Sequence, residues 1–71
     1  MNMDENDKLK KVKSIFWDNE ESLSANEKQE LIFQEFFMGD HSEAWIVVKD
    51  KNSGIEKARY NTRFISTIIW E

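Results

Sequence analysis

A chain of 71 residues with ten basic and fourteen acidic side chains, a net charge of −4 and no cysteine suits one small domain. That composition excludes disulfide staples and thiolate metal sites, and one histidine leaves a zinc site short of ligands. The negative balance disfavours bare nucleic acid and anionic membranes, which both bind cationic surface.

From the amino end, Asp4, Glu5 and Asp7 precede Lys8, Lys10, Lys11 and Lys13, the order a helix macrodipole favours. Leu9, Val12, Ile15 and Phe16 recur at three- and four-residue spacing, which predicts an amphipathic helix over about residues 5–17. The stretch Asp18-Asn19-Glu20-Glu21-Ser22-Leu23 breaks the pattern and reads as a short acidic connection. Ser24-Ala25-Asn26-Glu27 then has the form of a capping box. The apolar residues Leu31, Ile32, Phe33, Phe36, Phe37 and Met38 follow, with Gly39 placed to end a helix in the left-handed conformation. A second helix over about residues 25–38 is expected. Its apolar arc is wide enough to lie between a sheet and the first helix.

Asp40-His41-Ser42 is polar and reads as a connection. Residues 43–49, with Trp45-Ile46-Val47-Val48, have high strand propensity. Asp50-Lys51-Asn52-Ser53-Gly54 is turn material. Residues 55–60 form a second, more polar strand, and residues 63–70 a third. The expected fold is therefore α+β: two helices packed on a three-stranded antiparallel meander, in the order ααβββ. On the first strand Ile46 and Val48 face away from Trp45 and Val47. On the third, Ile65 and Ile69 face away from Phe64, Ile68 and Trp70. Strands apolar on both faces ask for helices on one side and a partner on the other.

Chemical motifs are sparse. His41 sits between Asp40 and Ser42 in a polar stretch, where a nucleophile and base are seldom held together. Glu20 and Glu21 beside Asp18 offer carboxylates without a sign of burial, so acid–base work is not indicated. Gly39 and Gly54 are too few and too far apart for a phosphate loop, and Asp50–Gly54 lacks the later ligands of a calcium loop. Asp18 to Glu30 carry five acids and one lysine, a stretch that reads as solvated surface.

No enzymatic activity, cofactor or metal is expected. The function expected is a small regulator or inhibitor of the bacterial or phage accessory kind, occupying a surface of a larger protein, with a homodimer through the sheet as an option. Trp45, Phe64, Ile68 and Trp70 are the expected contact residues, with Arg59 and Arg63 at the rim. The runner-up is a nucleic-acid module using Lys57, Arg59 and Arg63 for phosphates and Trp45 for stacking. Residues 1–13 are charged and no apolar run reaches the roughly 18–20 residues of a membrane span, so a cytoplasmic location is expected.

Overall fold

A computed structural model describes residues 9–71. The strands are β1 (Leu9–Phe16), β2 (Ser22–Ser24), β3 (Gln29–Met38), β4 (His41–Asp50), β5 (Glu56–Asn61) and β6 (Thr67–Trp70). A single 3₁₀ turn, Thr62–Phe64, separates the last two. The protein is all-β, not α+β. Both expected helices are strands, and residues 5–8 of the first lie outside the described part of the chain.

The helical spacing of Leu9, Val12, Ile15 and Phe16 has a different cause. Pairing between β1 and β6 slips between Val12 and Ser14, a β-bulge that carries one extra residue. Val12 and Ile15, three positions apart, therefore both point into the core and are fully buried. The second expected helix fails for another reason. Its wide arc is a strand with apolar side chains on both faces: Leu31 and Phe33 contribute to the core, while Ile32 and Phe36 lie on the opposite face. The residues of the expected capping box do other work. The Ser24 hydroxyl meets that of Ser14 at 2.8 Å, and the Asn26 side-chain oxygen accepts from the backbone N–H groups of Lys28 and Gln29. Gly39, with φ +73°, opens the two-residue turn between β3 and β4 rather than closing a helix.

All pairings are antiparallel. β2 and β3 run along one edge of β1, interrupted by a short excursion after Ala25, whose N–H donates to the Lys13 carbonyl at 2.9 Å. β4 pairs with β3 over its whole length, and β5 pairs with β4. The expected meander would place the last strand beside β5. Instead β6 crosses to the free edge of β1, with Phe16 opposite Thr67 and Ile15 opposite Ile68. The sheet thereby curls into a half-barrel.

The concave side holds the core, built from Val12, Ile15, Leu31, Ile46 and Val48. Burying a side chain of this size contributes about 1.5–3 kcal/mol, so these few residues dominate stability. Val47 is 1% exposed although it points outward from that core. Its cross-strand neighbours are Ile32 and Arg59.

The β4–β5 turn agrees with its residue types. The Asp50 carboxylate accepts from the N–H groups of Asn52 and Ser53, both at 2.9 Å, and Gly54 has φ +75°. Those backbone bonds, from Ser53 first and then Asn52, hold the Asp50 carboxyl below its ordinary 3.8. Glu56 is held below its ordinary 4.5, chiefly by the hydrogen bond from Arg59. A carboxylate lowered in the folded state adds stability that is complete above its unfolded pKa. That stability is lost as pH falls through the folded value. Acid titration followed by circular dichroism should show stability level above pH 4.5 and falling below 3.8. The variant Asp50→Ala with Glu56→Gln should have a shallower acid limb; an unchanged slope would remove these two groups from the account.

Candidate functional site

The β1–β2 connection is a tight hairpin with a three-residue loop. The Trp17 carbonyl accepts from the Glu20 N–H at 3.0 Å, and the Trp17 N–H donates to the Glu21 carbonyl at 2.9 Å. Glu20 adopts φ 72°, the left-handed residue that completes such a loop. The Asn19 side-chain oxygen accepts from the Glu21 N–H at 3.0 Å and fixes the tip. A non-glycine residue at positive φ is held there by these bonds.

This loop sets Trp17 against Tyr60 at the end of β5. Their ring centroids lie 5.2 Å apart with planes at 71°, an edge-to-face pair. Beside the pair opens a shallow groove of about 700 Å³, lined by Trp17, Asp18, Asn19, Glu21, Ser22, Leu23 and Tyr60. Trp17, Leu23 and Tyr60 are half-buried and pack against the core, so the apolar part of the groove is anchored. Asp18, Glu20 and Glu21 are exposed, and among the described residues none of the three forms an ion pair. Among the described residues no cluster of His, Asp or Glu is arranged to hold a metal ion.

The residues singled out from sequence are divided by the fold. Trp45 lies on the convex face between Gln34 and Asn61. Arg59 shares that face: its guanidinium sits 4.7 Å from the centre of the Phe36 ring and makes two 2.7 Å bonds to Glu56. Arg63 reaches the Glu43 carboxylate at 3.4 Å, and Lys57 donates to the Gln29 side chain at 3.0 Å. Each cation of the expected phosphate-binding set thus has a partner within the fold. Phe64, on the 3₁₀ turn, is 70% exposed. Ile68 packs inward against the core, and Trp70 stands edge-to-face with Phe33 at 5.3 Å, between centroids. Trp45 and Ile68 therefore occupy opposite sides of the sheet.

Trp17 and Tyr60 were not among the residues expected to bind. They are far apart in sequence, and the curl of the sheet brings them together. The one local signal was the acidic break at residues 18–23, of which residues 18–20 form the loop while Ser22 and Leu23 belong to β2.

Compared with known protein families, curated proteins and solved structures, the chain matches none. The expected role of regulator or inhibitor gains no support from these comparisons. Among the described residues no helix is long and apolar enough to cross a membrane.

Proposed function

We propose that this chain is a non-enzymatic binding module that holds a segment of another protein in the groove between the β1–β2 loop and Tyr60. The observation that carries it is the Trp17–Tyr60 pair, anchored on the core and bordering an open, polar-rimmed cleft. Binding sites combine a concave apolar floor with a few polar groups, and aromatic side chains dominate their energetics. The carboxylates at the rim are exposed, and a binding role asks nothing more of them than charge. The cysteine-free composition suits the cytoplasm as its location. This surface differs from the one expected from sequence, which centred on Trp45 and Trp70.

Panning a random peptide library against the protein tests the proposal. Retained peptides should shift the amide signals of residues 17–23 and Tyr60 in a nuclear magnetic resonance titration. The exposed Ser22, changed to Trp, should fill the groove and weaken binding at least about tenfold, a 1.4 kcal/mol difference. Retention of no peptide, or shifts confined to another surface, would overturn the proposal.

A further inference from the structure

Resting on the proposed groove, we infer that its occupant presents a lysine or arginine side chain, held between the Trp17–Tyr60 pair and the carboxylates of Asp18 and Glu21. Charge complementarity carries the inference. Among the described residues no basic side chain lines the groove, while two of the seven that do, Asp18 and Glu21, are acidic. Two acids elsewhere are paired with a guanidinium, Glu56 with Arg59 and Glu43 with Arg63, whereas no cation of the described residues reaches Asp18 or Glu21. The acids of the β1–β2 loop are left open to solvent and to a ligand.

The apolar lining suits the rest of such a side chain. A lysine or arginine has a long methylene stem that packs on apolar surface while its charged head reaches polar groups. Leu23 and the two rings supply that surface, and a cation near an aromatic face gains further attraction. An acidic segment would meet like charge at the rim. A purely apolar segment would draw water away from carboxylates without replacing its hydrogen bonds.

The test uses the full chain and four capped peptides of sequence Gly-Ser-Ala-X-Ala-Ser-Gly, with X as lysine, arginine, glutamine or glutamate. The lysine or arginine peptide should shift the Trp17 indole and Tyr60 amide signals saturably. It should bind at least about fivefold more tightly than the glutamine peptide at low salt, with the preference shrinking as salt screens the rim. The paired change Asp18→Asn and Glu21→Gln touches exposed side chains, so its amide spectrum should remain folded while the preference disappears. Equal binding of the glutamine or glutamate peptide, or a preference that survives the paired change, overturns the cationic occupant and leaves the groove as a peptide site. No shift at Trp17 or Tyr60 with any of the four overturns this inference. If library selection also retains nothing at the groove, the proposed function falls with it.

Discussion

Ile46→Ala is expected to remove most of the stability of this protein. Ile46 is fully buried on β4, among Val12, Ile15, Leu31 and Val48. Truncating such a residue costs about 2–5 kcal/mol, because the lost transfer energy is joined by the cavity left behind. A chain of this size has only about 4–10 kcal/mol in total. Urea unfolding should therefore show a midpoint displaced to low denaturant, or no folded baseline at all. Phe64→Ala is the comparison, because that side chain is large yet mostly outside the packing. Its effect should stay within about 0.5 kcal/mol. Similar losses from both changes would mean that the core is not where the fold puts it.

The second large effect tests the closure of the sheet. Phe16 on β1 and Thr67 on β6 are directly opposite and both exposed. Antiparallel partners have Cα atoms about 4.5–5.5 Å apart, within the range a disulfide spans. Phe16→Cys with Thr67→Cys should therefore oxidise to an intramolecular bond. The loop it closes contains roughly 50 residues, which corresponds to at most about 4 kcal/mol by the chain-entropy relation. For a domain this small, each kcal/mol moves the melting midpoint by about 4–8 °C. The oxidised protein should melt well above its reduced form. Glu56→Cys with Thr67→Cys should stay unlinked, since Glu56 lies on β5, away from β6. Thiol counting and melts with and without reductant decide between them. Linkage of the second pair but not the first would restore the simple meander.

The contrast between these strands shows what local sequence specifies here. The β4–β5 turn was legible because Asp50, Ser53 and Gly54 act within their own neighbourhood, by side-chain bonds to nearby N–H groups and a positive φ. The β4 strand was legible as a run of β-branched residues. In β1 the bulge replaced a period of two with a spacing that imitates a helix turn. In β3 apolar residues on both faces removed the alternation that marks a half-buried strand. The crossing of β6 to β1 depends on side chains far apart in the chain, and so does the meeting of Trp17 with Tyr60. The groove was half visible, as an acidic loop. Its aromatic wall was invisible because no short window contains both rings.

The pairing of β6 with β1 also orders events in time. During synthesis the hairpins of β1 with β2 and of β3 with β4 can zip as soon as they emerge. The second edge of β1 must wait for Thr67–Trp70, about fifty residues later, before it has a mate. Until then a naked strand is available to any neighbouring chain on the ribosome. In this topology β1 keeps one edge unpaired until β6 is in place, and pairing between copies is the hazard that such an edge carries.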